Sequence, residues 1–101
     1  MQIPERVKIA GYEYTVERPD EPFPNGETVC DGLHIFTNQT IKVAKSGSKE
    51  YQDTVFLHEL IHGIIASYCG DISEEINERF TEQFSKGAYQ VIIDNPTIFK
   101  E

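Results

Sequence analysis

Apolar and polar residues alternate over residues 7–9 and again over 12–16, on either side of Gly11. A two-residue period is that of a half-buried strand, and a glycine between two such runs predicts a short β-hairpin. Residues 19–26 hold three prolines, an asparagine and a glycine, and read as a surface loop. Residues 32–36 and 40–44 are two further strand-like runs joined by Thr37-Asn38-Gln39. After Ser46-Gly47-Ser48, which supplies an N-cap, the period changes to that of a helix. This helix is expected from about Lys49 to Cys69, with Gly70 at the C′ position. Val55, Phe56, Leu57, Leu60, Ile61, Ile64 and Ile65 occupy most of its circumference, so it should be buried at the centre of the domain. Asp71-Ile72-Ser73-Glu74 resembles a capping box and opens a second helix, which Asp94-Asn95-Pro96 ends. Its apolar positions Ile76, Phe80, Phe84, Ala88 and Val91 recur at helical spacing and are expected to pack on the first helix.

Strands followed by two antiparallel helices define a small α+β domain, with an N-terminal antiparallel sheet, a buried central helix and a C-terminal helix. With 101 residues the chain has room for one such domain, spanning 1–101. A net charge of -8 argues against nucleic acid and anionic membrane surfaces as main partners. No run approaches the ~20 apolar residues of a membrane span, and none resembles a signal peptide. Cys30 and Cys69 lack CxxC spacing and read as reduced thiols in a cytoplasmic protein. The sequon at Asn38-Gln39-Thr40 is then only a turn. Neither helix clusters basic residues on one face, which excludes a helix-turn-helix role.

The chemistry lies in His58-Glu59-Leu60-Ile61-His62. Residues four apart share a helix face, so both imidazoles can reach one ion of borderline softness, such as zinc. Glu59 is rotated about 100° from His58. It stands beside that ion rather than on it, where a general base for water is needed. Three polar residues inside so apolar a run are costly to bury without partners. A useful zinc site needs a third protein ligand. Asp71, Glu74 and Glu75 are accounted for by the helix dipole, whereas Glu78 and Glu82 lie deeper in the helix and one turn apart. Either can be the ligand on this ground. Tyr89 and His34 are candidates for stabilising an oxyanion. The strand at 40–44 is a candidate sheet edge for a peptide substrate.

The runs 31–45 (DGLHIFTNQTIKVAK), 52–64 (QDTVFLHELIHGI) and 87–96 (GAYQVIIDNP) resemble the ImmA/IrrE-like zinc metallopeptidases, above all the short versions of phages and mobile elements. The resemblance implies a minimal zincin-like fold of gluzincin type, in which a glutamate of the following helix completes the site. The family's ligand glutamate usually has a small residue three positions on and asparagine four on. Read back without gaps from Tyr89-Gln90-Val91, that pattern puts the ligand at Glu82, with Ser85 in the small position and Lys86 in place of asparagine. The register one turn earlier makes Glu78 the ligand and Glu82 the carboxylate that orients a histidine. With His58, His62 and Glu82 as metal ligands and Glu59 as base, the implied activity is that of a zinc-dependent intracellular endopeptidase. Its substrate would be a protein, on the family's habit a transcriptional repressor. The alternative is a catalytically silent zinc-binding regulatory or interaction domain. An intact Glu59 favours the enzyme, since a structural site has no use for a base.

Overall fold

The computed structural model describes residues 1–100. It has two strands at the start, β1 (Arg6–Ile9) and β2 (Tyr12–Glu17), then β3 (Phe23–Asn25), β4 (Thr28–Cys30), β5 (Gly32–Ile35) and β6 (Thr40–Val43). Helices α1 (Lys49–Tyr68) and α2 (Glu74–Asp94) follow. The architecture is the expected α+β arrangement. Among the described residues no helix is long and apolar enough to cross a membrane.

β1 and β2 form the expected hairpin, with Ile9 opposite Tyr12. Its two central residues, Ala10 and Gly11, both have positive φ (53° and 84°), as the tightest right-twisting hairpin turn requires. The four-stranded sheet runs β1-β2-β6-β5. It is mixed rather than antiparallel throughout, because β2 and β6 pair in parallel while β5 and β6 are antiparallel. The chain leaves β2 at one end and returns to it only after β3, β4 and β5, which is what permits a parallel neighbour. Consequently β6 is an interior strand, not the edge expected for residues 40–44; the free edge beside α1 is β5. The loop expected over 19–26 contains β3, which pairs with β4. Its prolines concealed that hairpin, since a proline within a run usually argues against a strand.

One face of the four-stranded sheet supplies the core: Ile9, Tyr14, Val16, Ile41 and Val43 close around Phe56 of α1. The helix begins where expected, Ser48 accepting a hydrogen bond from the Tyr51 backbone N–H at 3.1 Å. It ends at Cys69, whose N–H bonds the Ile65 carbonyl; Gly70 occupies C′ without a left-handed φ. α1 lies between the sheet and α2, burying Phe56, Leu57, Ile61 and Ile65, though Ile64 is exposed. α2 is capped by Ser73 rather than Asp71. The face it turns to α1 is also not the expected one. Thr81 and Ser85 are buried, whereas Ile76, Phe80, Phe84 and Val91 are exposed. The reason is the polar groups on α1: His58 and His62 need polar partners more than they need a phenylalanine, and α2 rotates to provide them.

Candidate metal centre

His58 and His62 project from α1 towards α2, one turn apart, with their Nε2 atoms 3.0 Å from each other. Glu78 of α2 meets both: its Oε1 is 3.1 Å from His58 Nε2 and its Oε2 is 3.1 Å from His62 Nε2. These three side chains form the one group among the described residues whose ligand atoms converge as a metal requires, within 4.8 Å of one another. Glu82, the glutamate preferred from the sequence, is one turn further on and touches the other side of His58, its Oε2 lying 3.3 Å from Nδ1. The positions of the two glutamates are those of the register one turn earlier, with Glu78 towards both Nε2 atoms and Glu82 on the far nitrogen of His58. Lys86 Nζ holds the second oxygen of Glu82 at 3.0 Å, and this ion pair keeps the Glu82 carboxyl below the usual carboxylate range. Lysine at 86 had no explanation in the other register; here it steadies the carboxylate.

Asn77 completes the set. Its Oδ1 is 3.1 Å from His62 Nδ1 and also accepts from the Thr81 hydroxyl at 3.1 Å. An acceptor at each Nδ1 has a chemical consequence. A neutral imidazole carries one N–H, and each ring has an acceptor on both sides, Glu82 or Asn77 at Nδ1 and a Glu78 oxygen at Nε2. With the N–H on Nδ1 of both rings, the two Nε2 lone pairs and the Glu78 carboxylate face one another. In that tautomer three acceptors converge, and a cation can satisfy the cluster. Burial, and then His62 nearby, lower the His58 pKa, so this imidazole is neutral near pH 7 as a ligand must be. Asn77 and Thr81 escaped the sequence reading. The one available signal was an asparagine next to a candidate ligand.

Glu59 is 8% exposed and lines the same cleft as His58 and Glu78. Gly32 of β5 leaves it room, since a Cβ there would stand 2.9 Å from Glu59 Oε2 and 2.6 Å from Val55 Cγ1. Burial, with the Glu78 charge adding to it, pushes the Glu59 carboxyl from the ordinary 4.5 up to about 8. Between those two values the folded protein binds more protons than the unfolded chain, so stability falls as pH rises through that window. In metal-free protein, Glu59→Gln should therefore exceed the parent in stability at pH 8, by on the order of 2 kcal/mol, with the gap closing towards pH 5. Urea unfolding at both pH values measures it.

The cleft has two lobes. One, of about 630 Å³, extends from His58 and Glu59 past Asp31 and Tyr51, whose hydroxyl donates to the Asp31 carboxylate. The other, of about 470 Å³, runs from the same residues to His34, His62 and Asn77. Edge strand β5 borders both through Gly32. His34 is thus at the cleft, its Nε2 3.1 Å from the Tyr14 hydroxyl and its pKa lowered by burial and then by His62. Tyr89 is not: its hydroxyl approaches Asp53 Oδ2 at 3.5 Å, at the opposite end of the α1–α2 seam. Cys30, unpaired like Cys69, lines both lobes.

Comparison with protein-family models, with curated proteins and with solved structures found no match to this chain.

Proposed function

We propose that this chain is a zinc-dependent endopeptidase of the ImmA/IrrE-like, gluzincin type, acting in the cytoplasm on a protein substrate such as a transcriptional repressor. The observation that carries the reading is the convergence of His58 Nε2, His62 Nε2 and Glu78, with a buried carboxyl at Glu59 beside it. Two nitrogens and one carboxylate are the ligand chemistry of a catalytic zinc site. His58, His62 and Glu78 would hold the ion, and with both Nε2 atoms so occupied Glu82 and Asn77 would accept the Nδ1 hydrogens of the two imidazoles. When bound, zinc supplies the Lewis acidity that polarises a carbonyl and makes water a nucleophile at neutral pH.

The rest is the work of the chain's own residues. Glu59 accepts the proton of the attacking water and passes it to the leaving amine. Its high proton affinity falls beside a cation, towards the neutral range that a proton carrier needs. The unpaired side of β5 offers backbone N–H and C=O groups to an extended peptide, which would lie along the cleft past His34. His34, steadied by its hydrogen bond to the buried Tyr14 hydroxyl, is a neutral polar group that lines this part of the cleft.

The test is to read the neighbouring reading frames for a repressor-like protein and to use that protein in a cleavage assay, with products mapped by mass spectrometry. A single cut, lost on chelation and restored by zinc, is expected. An intact repressor after prolonged incubation with the zinc-loaded chain would reject the assignment.

A further inference from the structure

The apolar stripe of α2 faces away from the rest of the chain. Ile76 is 61% exposed, Phe80 48%, Phe84 52% and Val91 52%, and Phe99 beyond the helix is 77% exposed. Phe80 and Phe84 stack with ring centroids 5.1 Å apart and form a flat platform. Next to it lies an apolar groove of about 440 Å³, lined by Phe84, Gly87, Ala88, Val91, Ile92 and Phe99. Its floor is a glycine in mid-helix. Glycine there weakens a helix relative to alanine, and within this chain it has no evident purpose, because a Cβ at Gly87 would meet nothing within 4 Å. A close approach from outside the chain would account for it.

From these observations we infer that α2 pairs with α2 of a second copy of this chain, antiparallel about a two-fold axis near Phe84. The stripe is self-complementary in that register. Phe80 of one copy stands over the Gly87–Ala88 notch of the other, Ile76 stands opposite Val91, and Phe84 meets its own mate, as an isologous interface requires. The area also fits. On the scale of ~200 Å² for a whole aromatic side chain, the stripe with Phe99 offers about 500 Å² of apolar surface. That is near the upper end of what a monomer exposes, and two copies together would remove at most about 1,000 Å², the lower limit for a specific interface. One acidic contact opposes the pairing: Asp94 lies on the stripe's own azimuth and is carried towards Glu74 of the other copy, at each end of the interface. Glu78 and Glu82 are turned to the histidines on the other side of α2, and Arg79, Gln83 and Gln90 follow the stripe. Because the metal centre uses the opposite face, the pairing is independent of the proposed peptidase activity.

Sedimentation equilibrium of the 101-residue chain tests the proposal. The parent should be a dimer with a Kd of about 10 µM or tighter, an affinity in keeping with a small but apolar interface. Phe80→Asp and Gly87→Leu change exposed positions, so both should keep the parent's circular dichroism while weakening the dimer at least ~10-fold. Gly87→Ala gives a signature that a structural role for this residue would not: melting of dilute, monomeric protein rises while dimerisation weakens. A parent that is monomeric at ~200 µM, where such a Kd leaves few monomers, would overturn the proposal. So would a dimer that Phe80→Asp and Gly87→Leu leave unchanged.

Discussion

Glu59→Gln should keep its zinc and its protein target and lose cleavage by at least ~10²–10⁴-fold, the usual contribution of a general base. The side chain touches neither Glu78 nor a histidine through a hydrogen bond, so its replacement by an isosteric amide leaves the ligand cluster intact. The glutamine cannot take a proton at neutral pH. It also lacks the charge that burial penalises, which is why the same variant should be the more stable one when metal-free above pH 7. Loss of turnover together with a gain in stability separates a catalytic group from a packing one. A zinc-binding regulatory domain without turnover would behave differently, since Glu59→Gln would then match the parent in biological potency against the native partner.

The second large effect distinguishes the two glutamates of α2. Glu78→Ala removes one of three convergent acceptors and should yield protein without stable zinc. Glu82→Ala leaves the convergence in place and removes the partner of His58 Nδ1 and of Lys86, so zinc affinity should fall by ~10–100-fold, the usual effect of losing an orienting partner. Asn77→Ala should fall in the same range through His62. Competition with a chromophoric chelator gives all three affinities. A zinc-free Glu82→Ala beside a zinc-loaded Glu78→Ala would restore the register preferred from the sequence.

The helix carrying His58 and His62, its Ser48 cap and the β1–β2 hairpin were legible because each is encoded locally: a period, a cap residue, a glycine turn. Which glutamate meets the histidines is not local. It depends on the rotation of α2 about its axis, and the hydrophobic stripe pointed to the wrong rotation. A phenylalanine pattern at helical spacing says that one face will be covered but not by what. Two histidines needing N–H acceptors decided the matter, bringing Asn77, Glu78, Thr81 and Glu82 inward and leaving Phe80 and Phe84 outside. The interior place of β6 was likewise out of reach, since the parallel β2–β6 pairing joins residues 25 positions apart (Thr15 with Thr40) across an intervening hairpin. The histidines and both glutamates were visible as candidates in the sequence, and packing determined which of them meet.

The central claim is that His58, His62 and Glu78 are a metal site, and elemental analysis of the chain purified without added metal tests it most directly. About one zinc per chain is expected, as three protein ligands imply. A content near zero that stays there after zinc is supplied and excess removed would contradict the account.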